Sequence, residues 1–127
     1  MSITEPSFTI GVEEEYLLVD KETRGLVVEP PETLMAEAEE RCGAQVTSEL
    51  LKSQIEIGTK VCSTLPDAHA ELARPRRNLI DVADNHGIAP SAASTPPFSE
   101  WIDQKHTEKD RYDQLTHEMQ GAARRLL

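Results

Sequence analysis

Three consecutive glutamates, Glu13, Glu14 and Glu15, lie in the middle of the apolar, β-prone segment FTIGVEEEYLLVD at positions 8–20. Because side chains alternate along a strand, Glu13 and Glu15 point to the same side, with Cα atoms about 7 Å apart. Two carboxylates at that separation raise each other's pKa unless a cation lies between them. Carboxylate oxygens suit a hard divalent ion such as Mg²⁺. The pair therefore fits a metal site, and an exposed acidic edge that discourages aggregation is the alternative.

Glu14 is harder to explain, because alternation places it on the apolar side of the strand. That side also carries Phe8, Ile10, Val12, Tyr16 and Leu18. Either a bulge near Gly11 re-phases the strand, or Glu14 meets a basic partner that the sequence does not identify.

Glu49 and Glu56 extend the acidic set, since both lie in the strand-like run AQVTSELLKSQIEIGTKVC. They are an odd number of residues apart and would face opposite ways on one continuous strand. A turn or bulge near Lys52 and Ser53 must re-phase them if both belong to one site. Four carboxylates in two separate apolar segments favour a metal site about as strongly as a solvated acidic surface.

The surrounding pattern predicts strands and helices without strict βαβ alternation, which favours an α+β fold with a largely antiparallel sheet. A hairpin turn over 20–25 follows the first strand, and 26–28 returns along it. Helices are predicted over Pro31–Arg41, from Thr64 to about Asn85, and after a second capping box at Thr107–Asp110. Pro75 inside the second helix is expected to kink or split it.

The length, net charge and hydropathy of the chain further narrow its possible classes of function. The 127 residues match one domain, 1–127, and a net charge of -10 argues against binding nucleic acid or an anionic membrane. No apolar run is long enough to span a membrane, and the N-terminus does not resemble a signal peptide, so a cytoplasmic protein is predicted. Cys42 and Cys62 are expected to be packed or idle thiols, and Arg74–Arg77 a solvated helix face.

Four ordered segments, GVEEEYLLVD, SQIEIGTKVC, GIAPSAASTPPFSEW and KDRYDQL, resemble the N-terminal part of the glutamate-cysteine ligase-like carboxylate-amine ligases. The resemblance implies a glutamine synthetase-like fold, incomplete here, with a curved antiparallel sheet, flanking helices and an acidic inner face. It also implies an ATP-dependent reaction with Mg²⁺ or Mn²⁺. The γ-carboxyl of glutamate is phosphorylated, and the amine of a small acceptor, expected to be cysteine, then forms the amide.

Matched motif by motif, the resemblance makes Glu13 and Glu15 the paired metal-binding glutamates. Glu56 corresponds to the acid of an E-x-x-T strand, and Glu49 stands where an acidic residue precedes it. Glu14 occupies the variable position between the pair. The resemblance assigns no general base within this chain.

Two departures limit what the resemblance implies. Relatives commonly have Thr-His-Pro-Phe where this sequence has Thr95-Pro96-Pro97-Phe98, so a substrate contact by that histidine is lost. The family also continues with a His-rich strand, further acidic ligands and an arginine, so the chain alone is expected to be inactive.

The last predicted helix carries an apolar stripe that still runs at Leu126 and Leu127. This predicts self-association or a partner chain that completes the fold. The alternative function is a noncatalytic acidic module that binds metal and pairs with a second chain.

Overall fold

The structure, a computed structural model, describes residues 6–123. Four strands form one sheet in the order β2-β3-β1-β4, and every neighbouring pair is antiparallel. The predicted α+β class with an antiparallel sheet is therefore confirmed. The elements in chain order are β1 (Glu13–Asp20), α1 (Glu32–Cys42), β2 (Val46–Ser48), β3 (Gln54–Gly58), α2 (Leu65–Asn85), β4 (Ile88–Ser91) and α3 (Asp110–Ala123).

The hydrophobic core lies between one face of the sheet and the helices α1 and α2. The sheet contributes Tyr16 and Leu18 from β1 and the fully buried Ile55 and Ile57 from β3. Because side chains alternate, the residues between these point to the opposite side of the sheet, which we call the carboxylate face. The helices fill the core with Leu34, Ala38, Cys42, Leu79, Val82 and Ala83.

The first strand is shorter than its pattern predicts. A strand over 8–19 is expected, but regular pairing begins at Glu13, and Ile10 forms only an isolated bridge with Cys62. Phe8 is 83% exposed and does not join the core. The expected apolar side is thus buried only at Tyr16 and Leu18, where α1 and α2 cover the sheet.

The segment after β1 turns back as predicted, although it forms no regular strand. The Asp20 side chain accepts hydrogen bonds from the backbone N–H groups of Glu22 and Thr23, which closes the turn. Leu26 then makes an isolated bridge with Val19. The two predicted strand pieces at 44–62 are confirmed as the β2–β3 hairpin.

The long helix is α2, and its ends fall where its capping residues predict. The Thr64 hydroxyl accepts a hydrogen bond from the Asp67 N–H at 3.2 Å, and Gly87, with φ of 70°, follows the last turn. Pro75 is expected to kink or split this helix, and the split is wrong, since α2 runs continuously from Leu65 to Asn85. Pro75 is buried, so packing against the core holds the helix together despite the missing N–H.

The capping box predicted at Thr107 is also wrong, because α3 begins at Asp110. The Thr107 hydroxyl instead donates to the Glu49 carbonyl, and the Thr107 N–H donates to the carbonyl of Leu50 at 2.8 Å. These bonds tie the start of α3 to the end of β2. The predicted apolar stripe is buried at Tyr112 and 37% exposed at Leu115, and its end at Leu126 and Leu127 lies outside the described residues.

Cys42 and Cys62 are buried free thiols, as expected. Among residues 6–123, no helix is long and apolar enough to cross a membrane.

Candidate functional site

Three of the four predicted ligands share the carboxylate face. β1 and β3 pair so that Glu15 lies directly opposite Glu56, while Glu13 lies opposite Gly58. Directly opposite residues in an antiparallel pair have Cβ atoms about 4.5–5.5 Å apart. On the other side of β3, Thr47 of β2 also lies opposite Glu56, and its hydroxyl donates to Glu56 Oε1 at 3.3 Å. The strand register therefore places Glu13, Glu15 and Glu56 on one face of two neighbouring strands.

Glu56 is the centre of this acidic group. Its pKa is raised above the usual value, first by partial burial and then by the negative charges of Glu13, Glu49 and Glu15. The hydrogen bond from Thr47 opposes that shift without cancelling it. A bound cation would relieve the mutual repulsion, so the electrostatics of this face favour cation binding.

Glu49 joins the group from the end of β2, and a turn at Lys52 and Ser53 supplies the predicted change of phase. Its side chain is 17% exposed and is held by the first turn of α3. Glu49 Oε1 lies 3.2 Å from the Tyr112 hydroxyl and 3.5 Å from Arg111 Nη2. Arg111 is therefore a protein cation already placed beside one of the predicted metal ligands.

Glu14 points to the opposite side of β1, where it finds the basic partner that the sequence left unidentified. Arg76 of α2 donates to it through Nη2 and, at 3.2 Å, through Nε. The Tyr16 hydroxyl donates to Glu14 Oε2 at 2.5 Å. Burial alone would raise the pKa of Glu14, but the hydrogen bonds from Tyr16 and Arg76 outweigh it and hold that pKa below its usual value.

The chemistry of the donors fits Mg²⁺ or Mn²⁺. These ions prefer oxygen ligands, and Mg²⁺ commonly uses one or two carboxylates while water and phosphate complete its shell. Within the described part of the chain, no three His, Cys, Asp or Glu side chains converge closely enough to hold an ion. The fit therefore rests on the type of donor and the shared face rather than on a preformed cluster.

The family model for glutamate-cysteine ligase family 2 matches residues 9–126, nearly the whole chain. The chain belongs to this family. The resemblance of its four motifs is thereby confirmed at the level of the family.

Curated relatives agree with this assignment. A Rhodospirillum rubrum protein is 50% identical over 127 residues, covering 97% of this chain and 33% of the relative. A Jannaschia protein is 44% identical over 126 residues, covering 99% of this chain and 33% of the relative. A Chloroflexus aurantiacus protein is 38% identical over 138 residues, covering 100% of this chain and 34% of the relative. Each is named "Putative glutamate--cysteine ligase 2". The chain spans about a third of the length of these relatives.

A cavity of about 450 Å³ in this ligase-family chain is lined by residues of β1, β3 and the start of α1. Its lining includes the apolar Leu18, Leu34 and Ile55 and the charged Glu29 and Lys52. None of the four predicted ligands lines it. The predicted ligands and this cavity are therefore separate features of the described residues.

The prediction that 74–77 form a solvated helix face is wrong at Arg76, which contacts Glu14, and the contact of Arg111 with Glu49 was not predicted. Arg76 precedes the buried Leu79 and Ala83 of α2 by three and seven residues, which is the spacing of one helix face. That spacing could have placed it at the border of the core instead of on a fully solvated face. No sequence pattern indicates the contact between Arg111 and Glu49, because that contact depends on where α3 begins.

Proposed function

We propose that this chain is the N-terminal part of the catalytic domain of an ATP-dependent carboxylate-amine ligase. On this proposal residues 1–127 form part of a glutamine synthetase-like curved sheet, and the substrates are glutamate and a small amine, expected to be cysteine. Membership of glutamate-cysteine ligase family 2 supports the reaction class. The pairing of Glu15 with Glu56 on one face supports the position of the site.

The proposed reaction has two steps. The γ-carboxylate oxygen of glutamate attacks the terminal phosphorus of ATP, which forms an acyl phosphate and releases ADP. The cysteine amine then attacks the acyl carbon and loses a proton, and phosphate leaves as the amide bond forms. Positioning and charge neutralisation dominate phosphoryl transfer, because little covalent work falls to the protein.

In this proposal Glu13, Glu15 and Glu56 would hold Mg²⁺ or Mn²⁺. Bound metal supplies positive charge that neutralises the phosphates and orients them. The Thr47 hydroxyl donates a 3.3 Å hydrogen bond to the Glu56 carboxylate. Glu49 adds negative charge beside this set and is held by the Tyr112 hydroxyl.

The metal assignment can be tested by calorimetric titration of the chain with Mn²⁺, alone and with ATP. Glu13→Gln and Glu15→Gln should each weaken binding, since each removes a charged oxygen ligand and keeps the side-chain shape. Glu22→Gln, in the exposed turn after β1, is the matched control for the loss of one negative charge. Unchanged binding in both site variants would refute the ligand assignment.

The reaction can be tested by following γ-glutamylcysteine and ADP formation from glutamate, cysteine and ATP. We expect no product from this chain alone and product when the remaining two thirds of the Rhodospirillum rubrum relative is added as a second polypeptide. Product that depends on Glu56 would support the ligase. No product with either mixture, while Mn²⁺ still binds, would favour a noncatalytic module. Because ATP and free cysteine are the substrates, we place the activity in the cytoplasm.

A second candidate function is that noncatalytic acidic module, which binds metal and pairs with a partner chain or with itself. The observation that favours it is a set of exposed apolar side chains near the Ile10–Cys62 bridge. Phe8 is 83%, Val61 78% and Leu65 73% exposed. Light scattering after size exclusion should then show an assembly that dissociates when Phe8 and Val61 are replaced by Ser.

A further inference from the structure

The side to which Glu13 and Glu15 point is set by the phase of β1. A shift of one residue in pairing would turn Glu13 and Glu15 toward the helices and Glu14 toward the carboxylate face. Tyr16 and Leu18 anchor the second half of the strand in the core. Positions 13–15 contain no apolar side chain, and Glu13 and Glu15 are exposed. Burial of apolar surface therefore does little to fix the part of β1 that carries the proposed ligands.

Backbone pairing with β3 holds this part of the strand, and Arg76 adds side-chain contacts to it from α2. Its Nε lies 2.8 Å from the Tyr16 hydroxyl and 3.2 Å from Glu14 Oε2, and its Nη2 donates to Glu14 Oε1. Tyr16 in turn donates to Glu14, so the three side chains form a closed network. Across residues 6–123, the side-chain hydrogen bonds between α2 and β1 all come from Arg76.

Arg76 lies on a part of helix α2 that packs in the core. Pro75 immediately before it is buried, and Leu79 three residues later is fully buried. A residue between such positions lies at the border of the core-facing side of the helix. The Arg76 side chain is accordingly only 44% exposed, and that of Glu14 is 26% exposed. The ion pair thus joins the packed helix α2 to the end of β1 that carries the proposed ligands.

We propose that Arg76 is a positioning residue for the metal site: by binding Glu14 and Tyr16, it holds β1 in the phase that presents Glu13 and Glu15 on the carboxylate face. This inference rests on the proposed function of those two glutamates. Partners that orient metal ligands from behind commonly change metal affinity when mutated. Arg76 acts in this way through the strand backbone and touches neither ligand.

The sign of the effect separates positioning from simple electrostatics. Removing an arginine makes an acidic chain more negative, and that change by itself strengthens the binding of a divalent cation. Loss of positioning weakens the binding. Arg76→Gln should therefore bind Mn²⁺ about tenfold more weakly than the wild type. Arg77→Gln, at the exposed neighbouring position of α2, should bind Mn²⁺ equally or slightly more tightly.

Arg76→Lys is the rescue variant. Lysine keeps the charge but lacks the planar fork that contacts Glu14 and Tyr16 together, so its Mn²⁺ affinity should lie between the wild type and Arg76→Gln. Folding of every variant is checked by circular dichroism and thermal unfolding. Mn²⁺ affinity in a folded Arg76→Gln that equals or exceeds that of Arg77→Gln would overturn the proposal.

Hydrogen exchange measured without metal tests whether Arg76 positions β1, independently of the proposed function. Backbone amides at 13–15 should exchange faster in Arg76→Gln, while those of Ile55 and Ile57 keep wild-type rates. If the wild type binds no Mn²⁺, the metal assignment fails, and exchange alone decides whether Arg76 positions β1. Wild-type exchange rates at 13–15 in Arg76→Gln would refute the positioning role. If Arg76→Gln does not fold, the same exchange comparison is made with Arg76→Lys.

Discussion

Replacing Glu56 by Gln should stabilise the chain when no divalent ion is present. Glutamine keeps the shape of the side chain and can still accept the Thr47 hydrogen bond, but it removes the negative charge opposite Glu15. Like charges directly opposite each other on antiparallel strands cost up to about 1 kcal/mol, and partial burial of the Glu56 carboxylate adds to that cost. We expect the free energy of unfolding to rise by about 1 kcal/mol near neutral pH.

The pH dependence of this gain follows from the raised pKa of Glu56, which has burial as its first cause and the neighbouring carboxylates as its second. A carboxyl whose pKa is higher in the folded than in the unfolded chain destabilises the fold wherever it is ionised. The penalty is complete above the folded pKa and vanishes below the unfolded value of about 4.5. The stability difference between Glu56→Gln and the wild type should therefore shrink as the pH falls through this range.

Urea unfolding followed by circular dichroism, at neutral pH and near pH 4, measures this difference directly. Glu22→Gln, in an exposed turn, is the control and should change stability by less than about 0.5 kcal/mol. Saturating Mn²⁺ should reverse the order, because a bound ion stabilises the wild type through Glu56. A destabilised Glu56→Gln at neutral pH without metal would refute the reasoning about carboxylate repulsion.

Three further perturbations test other parts of the structure. Arg111→Gln removes the cation beside Glu49, and because that cation competes with a bound metal ion for the same carboxylate, calorimetry should show Mn²⁺ affinity rising by up to about fivefold. Unchanged or weaker binding would contradict this. Thr64→Ala removes the N-cap of α2 and should lower the urea unfolding free energy by about 1 kcal/mol, whereas Thr64→Ser should retain most of it. Leu79→Ala in the fully buried core should cost about 2–5 kcal/mol, and a loss below about 1 kcal/mol would contradict the packing of α2 on the sheet.

Local chemistry made much of the fold predictable. The termini of α2 follow from Thr64 and Gly87, and the return after β1 follows from the turn formers after Asp20, because capping and turn hydrogen bonds involve residues close in sequence. Alternation likewise predicted that Glu13 and Glu15 share a face. These features depend on interactions within a few residues, which a single sequence displays directly.

The remaining features depend on contacts between distant parts of the chain. Glu14 meets Arg76 62 residues later, and Glu49 meets Arg111 at the same separation. Helix α3 starts later than its capping pattern predicts because the Thr107 hydroxyl is used by the Glu49 carbonyl. In α2, burial of Pro75 outweighs the local preference against proline. In each case contacts between distant residues decide among conformations that the local sequence allows.

The two arginines beside the acidic strands have opposite expected effects on a bound cation, and the fold explains why. Arg111 approaches Glu49 at 3.5 Å and competes for the same negative charge that would hold a metal ion. Arg76 pairs with Glu14 on the other side of the sheet, where its charge neutralises a carboxylate that cannot reach the ion. One strand can therefore carry three adjacent glutamates because alternation divides them between two environments. If Arg76→Gln strengthened Mn²⁺ binding and Arg111→Gln weakened it, this division of the glutamates between two faces would be wrong.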